Sequence, residues 1–273
     1  MAGTTWHYGV TARWWAEFNT GGPEIDYFRR HVEAGQPALD VGCGTGRLLL
    51  PYVRAGLDVD GCDVSADMIA LCRAAAAREG LSPSLYVQPK HELDLPRRYR
   101  TIYMCGTLGV GSTREEDMKA FARIHDHLEP GGTFVLDNEV PYAEGNGWEY
   151  WPASGRASLP RPPRPPQPRD VAADGSEYQL RSRLLDVDAL EQRVTMSMHG
   201  FRWKDGELVE SDEHLLTMTL YFKDEIVLML ERAGFVEVTV AAALTDAEPT
   251  PADDVLVYTA RRPPELPSSG GRA

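Results

Sequence analysis

No apolar run in this chain exceeds about six residues, against the roughly 20 that a membrane-spanning helix needs, so no transmembrane helix is expected. The N-terminal stretch MAGTTWHYGVTARWW lacks a basic start followed by an apolar run, so no secretory signal is expected either. Cysteine is scarce. Cys43, Cys62, Cys72 and Cys105 form no CxxC pair and have no zinc-type spacing, which argues for free thiols in a reducing cytoplasm and against a disulfide framework or a bound metal. Lysine is equally scarce, with Lys90, Lys119, Lys204 and Lys223 alone among the 28 basic residues. Positive charge is short overall: 41 acidic residues leave a net charge of −13. Such a surface repels phosphate backbones and anionic lipid, so neither a nucleic-acid nor a membrane partner is expected. Apolar residues are not lacking. At 42% of 273 residues they can build a sizeable core.

The pattern along the chain divides it. Trp14, Trp15 and Phe18, then Ile25, Phe28 and Val32, recur at helical spacing near the N-terminus. Two readings of these aromatics stand, a core-facing stripe or part of a ligand cavity wall. From Pro37 to about Val140, short apolar runs alternate with helical stretches, which implies βαβ crossovers and a parallel sheet. Residues 152–169 then hold seven of the 20 prolines, too many for a helix or a central strand. An exposed loop is the simpler reading, and a ligand for a proline-binding domain the other. Tyr178–Val187, Arg193–Trp203 and Glu207–Leu220 alternate polar with apolar residues, with a turn signal at Lys204-Asp205-Gly206, and predict antiparallel strands. A helix over Asp224–Ala233 and strands at Phe235–Val240 and Val255–Ala260 end the pattern, the last two as an antiparallel hairpin.

The most informative segment is Asp40-Val41-Gly42-Cys43-Gly44-Thr45-Gly46, which follows the first strand and opens a helix. Glycines at the carboxyl end of a parallel strand let the backbone approach a ligand. A phosphate-binding P-loop would need a lysine that is not there. A dinucleotide loop would need its third glycine at position 47, which is Arg47. Asp63 ends the second strand, where an acid can accept both hydroxyls of an adenosine ribose. The combination suits adenosine joined to a zwitterionic amino-acid portion, with Asp40 near a cationic group.

With ALDVGCGTGRLL at 38–49, VDGCDVSADMI at 59–69, LEPGGTFVLDN at 128–138 and LERAGFVEV at 230–238, the chain resembles the class I S-adenosylmethionine-dependent methyltransferases. Within them it is similar to the small-molecule enzymes of bacterial secondary metabolism, such as the aminosugar N-methyltransferases. The resemblance implies an α/β fold with a Rossmann-like seven-stranded sheet ending in an antiparallel hairpin, plus an N-terminal helical lid and an antiparallel β insertion. The corresponding division is 1–34 lid, 35–140 cofactor-binding core, 141–221 proline-rich loop and substrate-binding insertion, 222–262 the rest of the core, and 263–273 a disordered tail. The resemblance implies S-adenosyl-L-methionine as cofactor, a small-molecule acceptor, and a homodimer through the insertion as one option.

Residue by residue, it implies that Gly42, Gly44 and Gly46 face the methionyl part and Asp40 its ammonium. Asp63 takes the ribose, Val64 and Met68 flank adenine, and Cys105, Gly106 and Thr107 border the transferring methyl. Tyr8 stands where related lids place a tyrosine. One departure matters: the acid that usually receives the adenine amino group is missing from Gln88-Pro89-Lys90-His91-Glu92, which leaves backbone near His91 and Glu92.

Methyl transfer needs an acceptor lone pair aligned behind the methyl, and a base where the acceptor must lose a proton. Tyr8, Glu139 and His199 are the candidates for that work, and Trp14, Trp15, Tyr142 and Trp203 for an aromatic acceptor wall. His125, His127 and His214 read as surface. The acceptor atom is nitrogen, carbon or oxygen, in that order of preference. Two other classes compete: a nicotinamide-dependent oxidoreductase, disfavoured by Arg47, and a non-catalytic protein that kept the cofactor fold.

Overall fold

The computed structural model describes residues 4–143, 146–163 and 165–265. Two helices come first, α1 (Gly9–Phe18) and α2 (Glu24–Ala34). The alternating part follows as β1 (Ala38–Val41), α3 (Leu49–Arg54), β2 (Val59–Asp63), α4 (Ala66–Arg78), β3 (Leu85–Val87), β4 (Tyr99–Met104), α5 (Arg114–His127) and β5 (Leu128–Glu139). Then come α6 (Ala153–Arg156), β6 (Asp170–Val171), β7 (Glu177–Asp188), β8 (Arg193–Lys204) and β9 (Glu207–Thr219). The chain closes with α7 (Lys223–Arg232), β10 (Val236–Ala242) and β11 (Val255–Arg261). Most of the tail expected at 263–273 lies outside the described residues.

The seven-stranded sheet has the order β10-β11-β5-β4-β1-β2-β3. β1 to β5 are parallel, and β11 runs antiparallel to both β5 and β10. Strand periodicity sorts its side chains into two cores. Ile102, Met104, Phe134, Leu136 and Tyr258 face α5 and α7. Tyr103, Val135 and Val257, one residue out of step, face α2, α3 and α4 with Phe28, Tyr52 and Ile69. The strand order reverses between β1 and β4, and ligands of open α/β sheets bind at the carboxyl ends beside such a switch point.

The second sheet, β6-β7-β8-β9, is antiparallel. Its β8–β9 turn holds Asp205 at φ 53° and Gly206 at φ 82°, the two left-handed residues that a tight hairpin requires. One face carries α1. Val10 of that helix sits against Gly200 in mid-strand, where a Cβ would stand 2.9 Å from it. The start of α1 is held between the two sheets, because Gly9 N–H donates to Asp67 of α4 and Val10 N–H to Asp212 of β9. Carboxylates at a helix N-terminus are electrostatically favourable. Thr4 extends the attachment by exchanging backbone and side-chain hydrogen bonds with Thr217.

Candidate functional site

A cavity of about 300 Å³ runs along the carboxyl ends of β4, β1, β2 and β3, under the strap of residues that leads into α1. That volume is at the lower end of the range for small-molecule sites. The glycine loop forms its floor. Gly42 has φ 80° and would press a Cβ to 2.5 Å from Thr107, so both conformation and space demand glycine. Gly44, at φ 53°, has nothing within 4 Å of its Cβ position and leaves bare backbone open to the cavity. Gly46 faces the other way, towards Cys72 and Leu50, and serves the packing of α3 on α4.

Asp63 ties the loop to the next strand. Its carboxylate accepts from Gly44 N–H at 3.0 Å and Ser65 N–H at 2.8 Å while still lining the cavity. Burial raises its pKa above the usual carboxylate range. Asp40, fully enclosed at the end of β1, is pushed up to about 7 by burial, against the opposing pull of the Tyr103 hydroxyl and Arg47. Arg47 also lines the cavity, paired with Glu24 at 2.9 Å. One end of the cavity therefore presents a carboxyl and a guanidinium side by side. Beneath it, buried Asp137 accepts from Gly106 N–H at 2.6 Å and from the Cys105 thiol, fixing the segment after β4.

The opposite end is built differently. Lys90 is buried, pairs with fully buried Asp117 at 3.0 Å and donates to Thr107 O at 2.8 Å. Asp117 also accepts from Ser112 and Tyr221. This network clamps the turn Lys90–Glu92 to the start of α5. His91 and Glu116 consequently face each other at 4.0 Å in the wall. Glu116 is held by its capping box, in which Oε2 accepts from Thr113 N–H at 2.7 Å.

The wall thus brings together Asp40, Gly42, Gly44, Asp63, Val64, Met68, His91, Cys105, Gly106, Thr107 and Trp15. Other residues singled out from the sequence lie elsewhere. His7, not Tyr8, enters the cavity. Burial lowers its pKa to about 4, its ring meets Trp15 edge-on at 5.4 Å, and its carbonyl accepts from Ser65. Tyr8 is not among the wall residues: its ring packs beside His214, while burial and the charges of Asp63 and Asp67 raise the pKa of its hydroxyl. Glu92 points to solvent. Trp14 donates to Asp170 and packs on Phe18, fastening α1 to the second sheet. Glu139 ends β5 opposite Val255, off the cavity wall. Tyr142 clusters with Trp148 and Phe222. His199 and Trp203 lie on the face of the second sheet that α1 does not cover, in a ladder with Phe201 between them. His7, Asn19, Arg47, Lys90 and Glu116 are wall residues that the sequence reading did not assign. Only Glu116 left a signal, the Thr113-x-x-Glu116 capping box.

Residues 38–132 match the family described as a methyltransferase domain. The chain is 29% identical over 125 residues to the dTDP-3-amino-3,4,6-trideoxy-alpha-D-glucopyranose N,N-dimethyltransferase of Streptomyces venezuelae, covering 45% of this chain and 51% of that one. It superposes on an S-adenosylmethionine-dependent methyltransferase of Clostridium acetobutylicum ATCC 824 with a TM-score of 0.69 at 18% identity, covering 88% of this chain and 91% of the other. The sugar N-methyltransferase KedS8 from Streptoalloteichus sp. ATCC 53650 gives a TM-score of 0.66 at 20% identity, over 96% and 98%. The strand order, the glycine loop with Asp63 at its side and these likenesses agree. The chain has the fold of these S-adenosylmethionine-dependent methyltransferases, and its residues 38–132 match a methyltransferase domain.

Proposed function

We propose that this protein is an S-adenosylmethionine-dependent methyltransferase acting on a small-molecule acceptor, with an amine nitrogen as the favoured attacking atom. The observation that carries the reading is the order of groups along the cavity: Asp40 beside Arg47 at one end, Asp63 in the middle, His91 and Glu116 at the other. A zwitterionic amino acid fits the first, ribose hydroxyls the second and an adenine edge the third. Among the described wall residues, Lys90 is already engaged by Asp117 and Arg47 shares its charge with Glu24, which suits a single carboxylate better than a phosphate chain.

When bound, the cofactor supplies an electrophilic methyl on sulfur, and transfer is an in-line displacement. The protein's part is positioning and exclusion of water, which supply up to roughly 7–11 kcal/mol in well-oriented systems. Arg47 holds one end of the ligand and Asp63 its middle, and Asp137 keeps Cys105–Gly106 in place. His7 and Trp15 cover the cavity from the lid side. His7 is uncharged at neutral pH, and with a pKa of about 4 it is too weak a base to deprotonate an ammonium, so an amine acceptor has to enter as the free base. The names of the relatives support a small acceptor: one methylates a dTDP-aminosugar and another is a sugar N-methyltransferase. A reducing cytoplasmic setting agrees with four free thiols. Pairing of two copies through the insertion would use the aromatic ladder of β8, which Arg169 and Arg181 partly cap in the single chain, and light scattering on the eluted protein reads it. Among the described residues no helix is long and apolar enough to cross a membrane.

The test is incubation with S-adenosylmethionine and panels of amines, indoles and phenols, read by mass spectrometry. Gain of one methyl by an amine is the expected result, and demethylated cofactor appearing with no methylated acceptor contradicts it.

Two further outcomes follow from the walls. Ionised Asp40 attracts a ligand ammonium and protonated Asp40 does not. With its pKa near 7, affinity for S-adenosylhomocysteine should rise roughly eightfold between pH 6 and pH 7.5. Asp40→Asn should flatten that profile. The stability of the ligand-free protein runs the opposite way. Its raised carboxyl contributes most below the ordinary carboxylate pKa, and this contribution is lost as pH rises through about 7. Glu116 supplies the acceptor that the segment after β3 lacks. Wild-type protein should prefer S-adenosylhomocysteine over S-inosylhomocysteine, which has no amino group, by about tenfold, and Glu116→Ala should lose the preference. Calorimetry with the two ligands checks it.

A further inference from the structure

A second cavity of about 240 Å³ has no task in the reading above. Its floor is one face of the second sheet. Leu184 pairs with Met196 and Val194 with Met218, so the four side chains share that face. Arg161, Pro162, Pro163 and Pro165 form its outer wall. Arg161 N–H donates to Leu184 O at 2.9 Å, and Arg183 Nε donates to Arg161 O at 2.6 Å. Both arginines line the cavity, and neither has a carboxylate within ion-pair distance among the described residues. Glu149, the acid in the wall, pairs with neither.

In a chain of net charge −13, two arginines that line one cavity without an ion-pair partner among the described residues, Arg161 with its guanidinium over the Tyr150 ring, form a specific chemical environment beside two methionines. Guanidinium groups match carboxylates and phosphates in both geometry and charge. The apolar floor matches a ring or hydrocarbon body. The two cavities are also neighbours in the fold. Met218 in the second pairs across an isolated bridge with Val110, which lines the first. Asn146 of the second donates to Val140 O, just past the end of β5.

We propose that this cavity holds the non-reacting part of the methyl acceptor, and that the acceptor joins a compact apolar body to an anionic group, a carboxylate or a phosphate. The word acceptor rests on the methyltransferase reading; the cavity and its charge do not.

Two fluorescent probes test it: 1-anilinonaphthalene-8-sulfonate, and N-phenyl-1-naphthylamine, which keeps the aromatic body without the charge. The sulfonate should saturate at one site per wild-type chain. Met196→Trp, which fills the floor, should weaken both probes by about tenfold or more. Arg161→Ala with Arg183→Ala should weaken the sulfonate about tenfold and leave the neutral probe within about twofold. S-adenosylhomocysteine should bind every variant as it binds wild type, which shows that they fold. Displacement of the sulfonate by benzoate assigns a carboxylate and displacement by phenyl phosphate a phosphate; displacement by neither counts against the anion site. Equal weakening of both probes in the arginine variant overturns the anion recognition, and unchanged binding in Met196→Trp overturns the site. A wild-type protein that does not bind S-adenosylhomocysteine overturns the acceptor assignment, while the probes still decide the cavity.

Discussion

Asp63→Ala should weaken S-adenosylhomocysteine binding by roughly 100-fold or more, with a folded protein remaining. The carboxylate is placed to accept two ribose hydroxyls, and hydrogen bonds to a charged group contribute about 1.5–3 kcal/mol each, where 1.4 kcal/mol is tenfold. The same carboxylate accepts from Gly44 N–H and Ser65 N–H, so its removal also loosens the loop that forms the cavity floor. Stability should change less than affinity. Burial already disfavours the charged form of Asp63, and its loss relieves that cost while leaving two N–H donors unpaired. Asp63→Asn keeps one acceptor oxygen and should fall between, at about a tenfold loss. Calorimetric titration reads both variants. An affinity within threefold of wild type in Asp63→Ala would show that the ribose lies elsewhere.

The largest stability effect should come from Asp117→Ala. Asp117 is fully buried, pairs with Lys90 and accepts from Ser112 and Tyr221. Removing it strands a buried ammonium, and breaking a buried pair from one side costs about 3–5 kcal/mol. At roughly 2–4 °C per kcal/mol for a protein of this size, Tm should fall by about 10 °C. Replacing both partners, Lys90→Met with Asp117→Leu, should recover most of that loss, because no charge is left unpaired. The clamp also sets the spacing of His91 and Glu116, so the single variant should blunt the preference for an amino-bearing base as well. Scanning calorimetry measures the first effect and the paired ligand titrations the second. A loss below about 1 kcal/mol would mean that water reaches the pair.

What the sequence displays and what it conceals follow from the range of the interactions involved. Gly42, Gly44 and Asp63 are legible because their demands are local: left-handed backbone in a short loop, and a strand end one βα unit later. The strands β7 to β9 are legible because a half-buried sheet imposes a period of two and the Asp205-Gly206 turn fixes their pairing. The face a residue joins is set by partners distant in sequence, and there the reading falters. Trp14 and Trp15 belong to one aromatic stripe, but neighbours on a helix point about 100° apart. Trp15 reaches the cavity and Trp14 reaches Asp170. His199 and Trp203 share strand parity with each other but not with Gly200, on whose side α1 packs. His7 and Tyr8 are adjacent in a strap without periodicity, so only its anchors, Ser65, Asp67 and Asp212, decide which of them turns inward. Glu116 looks like an ordinary capping residue until α5 is seen to start beside His91.

The whole account turns on which ligand the glycine loop receives. Titration calorimetry of the wild-type protein with S-adenosylhomocysteine and, separately, with NADH addresses that directly. One S-adenosylhomocysteine should bind per chain, roughly 100-fold or more weakly in Asp63→Ala, and NADH should give no heat. Saturable NADH binding with no response to S-adenosylhomocysteine would contradict it.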